Sequence, residues 1–100
     1  MTRAEIVREI SNDIGVDKSV VLQTVEAFMK VVKNAMAKNQ NIYLRGFGTF
    51  IVKHRAQKTA RNIKKNTTII IPAHKAPKFK PSKMFVDIVK NNRDYVNLFL

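Results

Sequence analysis

The sequence predicts an α+β domain with two N-terminal helices, antiparallel strands drawn out into a long hairpin, and a C-terminal helix. Three observations point to it. Apolar residues recur at helical spacing as far as Met36 and again from Phe85, while the stretch between them is strand-like. Chain-reversing residues fall where the period changes: Gly15, Gly46, Gly48, Asn66 and the prolines at 72, 77 and 81. Finally, 100 residues suit one domain, but a chain this short buries little surface and has a marginal core on its own. It has no cysteine, so neither a disulfide nor a thiolate metal site can make up the shortfall.

Helix one is expected over 3–14. Thr2 and Glu5 form a capping-box pattern, Ile6, Val7, Ile10 and Ile14 follow at helical spacing, and Gly15 supplies a stop. Asp17 or Ser19 can cap a second helix running to about Lys38. Its apolar residues, from Val20, Val21 and Leu22 through Phe28, Met29, Val31 and Val32 to Met36, cover more than half the circumference. An ordinary surface helix shows a narrower stripe, so this one needs two neighbours, and a second subunit is the economical source of the other. After "KNQN" at 38–41, Ile42 and Leu44 alternate, and "RGFGTF" at 45–50 turns the chain into Phe50, Ile51 and Val52. A basic segment, 53–65, leads to Asn66, which tolerates the backbone of a reversal, and Thr67 to Ile71 is strongly β-forming. Pro72 and Pro77 mark bends or edge positions on the return. Ser82 then caps a last helix with Phe85, Ile88 and Val89 on one face.

The formal net charge is +12, and its placement says more than its size. From Ala27 to Val86 every charged side chain is Lys or Arg. A run this one-sided repels itself unless a polyanion screens it, which favours nucleic acid first and an anionic membrane second. The N-terminus carries two acids and no long apolar run, and nothing approaches the roughly 20 apolar residues of a membrane span, so a soluble intracellular protein is expected. His54 and His74 stand among cations, and no nucleophile, base and orienting group can be assembled from them and the serines. The G-x-G of "GFGTF" lacks the third glycine and the following helix of a dinucleotide loop. No catalytic residue, metal or cofactor is therefore assigned. Within the basic hairpin, Ile63 stands in "RNIKKN" with no core to join.

"GFGTF" at 46–50, Arg55, "ARN" at 60–62 and "IPAHKAPKFKPSK" at 71–83 together resemble the bacterial HU and integration host factor family, from the first helix to about Lys90. The resemblance implies a domain over 1–90, divided into a helical dimerisation part (1–40), a sheet with its arm (41–81) and a C-terminal helix (82–90). Residues 91–100 then form an extension, with Tyr95, Val96, Leu98, Phe99 and Leu100. It also implies a three-stranded antiparallel sheet with an extended β-ribbon arm, and an intertwined dimer, either a homodimer or a heterodimer with a paralogue. Two such arms would embrace the minor groove of double-stranded DNA and bend it or stabilise a bend.

The implied role is that of a histone-like, nucleoid-associated cytoplasmic protein, with no enzymatic activity and no membrane partner. Sequence specificity should be low, because the arm offers mostly cations, which suit phosphates better than base edges. An RNA-binding structural protein, a site-specific bending factor of the integration host factor type, and an interaction protein working through the tail are the alternatives. At the base of the arm, Arg3, Arg45, Lys75, Lys78, Lys80, Ser82 and Lys83 are the expected contacts. In the arm they are Lys53, Arg55, Lys58, Arg61, Asn62, Ile63, Lys64 and Lys65, with Arg61 and Asn62 deepest in the groove. Two positions depart from the family pattern: Ile63 stands where a base-pair-wedging proline is usual, and Asn66 where glycine is usual at the arm's turn.

Overall fold

The computed structural model describes residues 1–91, so the expected extension lies, beyond Asn91, outside the described residues. The elements run α1 (Arg3–Ile14), α2 (Lys18–Ala37), β1 (Ile42–Leu44), β2 (Gly48–Arg55), β3 (Lys58–Asn62), β4 (Thr67–Ile71), β5 (His74–Pro81) and α3 (Lys83–Lys90). They form two units, Met1–Lys38 and the chain from Asn39 onward.

In the helical unit the local signals act as expected. The Thr2 hydroxyl accepts the Glu5 amide at 3.3 Å and donates to the Glu5 carboxylate. Gly15 takes the left-handed conformation (φ 71°), and its amide bonds to the Ser11 carbonyl at 2.9 Å. Of the two candidate caps, Asp17 holds the N-cap position of α2, and the Ser19 hydroxyl donates to its carboxylate. Asn39, just past α2, is left-handed as well (φ 65°), a stop that the polar run at 38–41 concealed.

α1 packs on α2, with Val7, Val21 and Met36 buried. Much of the rest of the wide apolar arc of α2 is bare: Val20, Leu22, Phe28, Met29 and Val31 are all exposed, Val31 at 65%, with Val25 and Val32 half-buried. Ala27, Phe28 and Val31 line an open apolar groove along it.

In the second unit, Leu44 to Phe47 make a tight turn: the Phe47 amide donates to the Leu44 carbonyl at 2.9 Å, with Gly46 at φ 82°. A positive φ at the third turn residue is the type II arrangement, for which glycine is the low-cost choice. Gly48 is needed for space instead. A Cβ there would lie 2.6 Å from the Lys80 carbonyl oxygen and from the Phe79 ring. Its absence lets β2 lie under Phe79, in a sheet of order β1-β2-β5, all antiparallel. Just ahead of β1, the Asn41 carboxamide oxygen continues the pairing and accepts the Val52 amide at 2.9 Å.

One face of this sheet holds the unit's core, a cluster of four phenylalanines. Phe79 is its hub, with ring centroids 4.9 Å from Phe50, 5.2 Å from Phe47 and 6.1 Å from Phe85. Phe85 brings α3 onto the sheet. Ser82 begins that helix, accepting the Phe85 amide on its hydroxyl at 3.2 Å while its own amide donates to the Phe47 carbonyl. Pro77 lies on the edge strand β5, where a missing N–H leaves no ladder bond unmade.

β3 and β4 form a separate two-stranded ribbon. Pro72 interrupts the return strand, and the outgoing strand breaks opposite it at Ala56 and Gln57. The last pair before the break is Arg55–His74 and the first after it is Lys58–Ile71, so each strand contributes two intervening residues. No residue is bulged out, and the hairpin keeps one register from base to tip.

Candidate nucleic-acid interface

That single register sorts the cations. Residues opposite one another in an antiparallel pair share a face, and faces alternate along each strand. Phe50 and Phe79 mark the packed face. The other face carries Thr49 with Lys80, Ile51 with Lys78, Lys53 with Ala76, and Arg55 with His74. Beyond the break the alternation continues with Thr59 opposite Ile70 and Arg61 opposite Thr68. Lys53, Arg55, Arg61, Lys78 and Lys80 therefore line one face of a continuous hairpin, all exposed. Lys58 and Lys75 belong to the other face, paired with Ile71 and His54. Charge counting along the chain could not make this division, because it follows from the pairing of distant strands.

The tip is built by two asparagines. The Asn62 carboxamide oxygen accepts the Lys64 and Lys65 amides at 3.1 and 3.4 Å, an Asx-type turn that leaves Asn62 half-buried. Asn66 reverses the chain at φ 52°, and its carboxamide oxygen also accepts a hydrogen bond from the Arg61 guanidinium. Glycine could supply the φ but not the acceptor. Between them Ile63 is thrust outward and 90% exposed, with Lys64 and Lys65 beside it.

At the foot of the sheet, Arg45, Lys80, Ser82 and Lys83 line a common cleft with Tyr43 and Thr49. The start of α3 opens into it, and helix N-termini favour anions. Arg3 is not part of this set. It belongs to the helical unit, where its guanidinium lies 3.1 Å from the Glu26 carboxylate. His74 Nδ1 lies 2.9 Å from the Pro72 carbonyl oxygen and must donate to it, since a carbonyl can only accept. Among the described residues no group of His, Asp and Glu is placed to hold a metal ion, and no helix is long and apolar enough to cross a membrane.

Known proteins are similar to this chain in sequence and in fold. The model of the family described as bacterial DNA-binding protein matches residues 1–90. The chain belongs to that family. Among its members, the chain is 36% identical over 90 residues to the SPbeta prophage-derived DNA-binding protein HU 2 of Bacillus subtilis, covering 90% of this chain and 98% of the relative. To the DNA-binding protein HU of Geobacillus stearothermophilus it is 33% identical, covering 90% of this chain and all of the relative. An Anabaena HU–DNA cocrystal structure superposes with a TM-score of 0.84 at 28% identity, over 89% of this chain and 97% of that one. The α+β architecture expected from the sequence is thus that of the HU branch of the bacterial DNA-binding proteins.

Proposed function

We propose that this chain is a dimeric, histone-like architectural protein that binds double-stranded DNA with low sequence specificity and bends it or stabilises a bend. The observation that carries this reading is the ribbon: one acid-free face bearing Lys53, Arg55 and Arg61, ending in an exposed isoleucine. Membership of the bacterial DNA-binding protein family supports it, as do relatives named as DNA-binding HU proteins and a similar fold solved as an HU–DNA cocrystal.

In this reading the phosphates are met by the cations of the ribbon face and by the cleft of Arg45, Lys80 and Lys83, with the Ser82-capped helix start offering amides to a phosphate oxygen. Lys58, Lys64, Lys65 and Lys75 extend the contact to the ribbon's edges and tip, and Arg3 contributes from the helical unit once released from Glu26. Ile63 wedges between base pairs in the minor groove, taking the place of the family's usual proline. The bare apolar arc of α2 is the surface on which a second copy, or a paralogue, completes the core. Residues 1–90 act as one DNA-binding domain, the role is not enzymatic, and the place of action is the nucleoid in the cytoplasm.

The test is a titration of the full chain against intact, nicked and four-way-junction DNA and against structured RNA, at several salt concentrations. Tighter binding to nicked and junction DNA, with a steep loss of affinity as salt rises, is expected. Preference for the RNA, or an affinity indifferent to salt, would overturn the reading.

A further inference from the structure

The triplet Ile69-Ile70-Ile71 looks uniform in sequence, yet the pairing splits it. Ile71 lies opposite Lys58 and Ile69 opposite Ala60, on the continuation of the phenylalanine face. Ile70 lies opposite Thr59 on the cationic face and is 62% exposed. At about 3.3 Å per residue the row of Thr59 and Ile70 stands roughly 7 Å from Arg61 and 13 Å from Arg55. Between Arg55 and Arg61 the cationic face is thus interrupted by two uncharged rows, Gln57 with Pro72 at the break and Thr59 with Ile70 beside Arg61, and the second carries an exposed aliphatic side chain.

β-propensity does not explain that choice, because Thr59, Thr67 and Thr68 satisfy the same strands without exposing an aliphatic side chain to water. An exposed Ile gains only if something covers it. Charge complementarity on the same face identifies what comes there: with Arg55 and Arg61 on either side and no carboxylate near, the occupant is a polyanion. Duplex DNA offers both kinds of surface at this spacing. Its minor groove is only about 6 Å wide, bounded by phosphates, and its walls are the apolar edges of deoxyribose.

We propose that Ile70, with Thr59 opposite, is a second apolar DNA contact of the arm, packing on the deoxyribose wall of the groove while Arg55 and Arg61 hold phosphates to either side. The contact is distinct from the wedge at Ile63, since it touches the groove wall and opens no base step. It rests on the DNA-binding reading above.

The experiment is a fluorescence-anisotropy titration of a labelled intact duplex at several salt concentrations with the full-length parent, Ile70→Thr, Ile70→Val and Ile69→Thr, each checked for its thermal midpoint. Ile70→Thr keeps the β-branched shape and removes apolar surface, so affinity should fall by about 3–10-fold, the worth of one to two buried methylenes. The slope of log affinity against log salt should not change, because no cation is lost. Ile70→Val, which removes one methylene, should lose up to about fourfold and less than Ile70→Thr, while Ile69→Thr should stay within about twofold of the parent because it lies on the other face. Parental affinity for Ile70→Thr, or equal losses in Ile69→Thr or Ile70→Val, would overturn this contact while leaving DNA binding intact. A parent that fails to bind the duplex at any salt would overturn the functional reading itself, and this contact with it.

Discussion

Ile63 stands with 90% of its surface in solvent, next to Lys64 and Lys65, held out by the Asn62 turn and the Asn66 reversal. A wedge gains by filling the gap opened when two base pairs unstack, at a cost of about a few kcal/mol per step, and DNA already kinked by a nick has met part of that cost. Ile63→Ala should therefore reduce bending of intact duplex more than it reduces affinity for nicked duplex, and Ile63→Pro should keep the bend. Energy transfer between the ends of a labelled duplex at saturating protein measures this. Undiminished bending by Ile63→Ala would make the residue only a stiffener of the tip. Gly48 invites a prediction about stability at the same scale. Its added Cβ would overlap the Lys80 carbonyl and the Phe79 ring, and the strand backbone has no easy way to yield. Gly48→Ala should destabilise the fold by roughly 1–3 kcal/mol, seen as a lower thermal midpoint.

At the scale of elements, the proposed hold on DNA is divided between the ribbon and the start of α3. The ribbon has one register, so its cations share one face, and its binding should follow the number of cations on that face more than the identity of any one. α3 brings Lys83 and an N-terminus to the cleft with Arg45 and Lys80. Lys83→Gln would remove one of the proposed phosphate contacts, so it should weaken binding to unrelated duplex sequences alike and flatten the salt slope by about one unit. Salt titrations on two duplexes of different sequence decide it, and a loss confined to one of them would place Lys83 against bases instead. Much at this scale could be read from the chain. The bounds of α1, the stops at Gly15 and Gly46, the reversal at Asn66 and the Ser82 cap are each set by interactions within a few residues, where local chemistry decides.

For the whole molecule, the exposed apolar arc of α2 and the small buried set of Val7, Val21 and Met36 describe a fold that a lone chain completes poorly. If dimerisation supplies the missing burial, folding and association are one equilibrium and the thermal midpoint should rise with protein concentration. A concentration-independent midpoint with a monomer mass in sedimentation would contradict this. The net charge of +12 sets the other property at this scale. Neutralising about 6–10 phosphates should cost about 10³–10⁵ in affinity between 50 and 200 mM salt. Isothermal titration across that range would show it, and a shallow slope would mean that few of the cations touch phosphate.

By itself the sequence determined which segments are helix, strand or turn, and that the middle of the chain is a basic hairpin free of acids. Periodicity, caps and turn residues are local, and charge is additive, so neither needs a partner strand to be read. Only the tertiary structure decided what depends on pairing and packing over distance. Phe79, which stands between two lysines in "KFK", became the hub of the aromatic cluster because β5 pairs it with Phe50. Arg3 became engaged by Glu26 because α1 packs on α2. Lys58 and Arg61, three residues apart in one basic run, went to opposite faces of the ribbon, and Ile70 parted from its two isoleucine neighbours. A strand alternates its side chains, so the face each one serves is set when its partner strand fixes the register and a packed core marks one side as the inside.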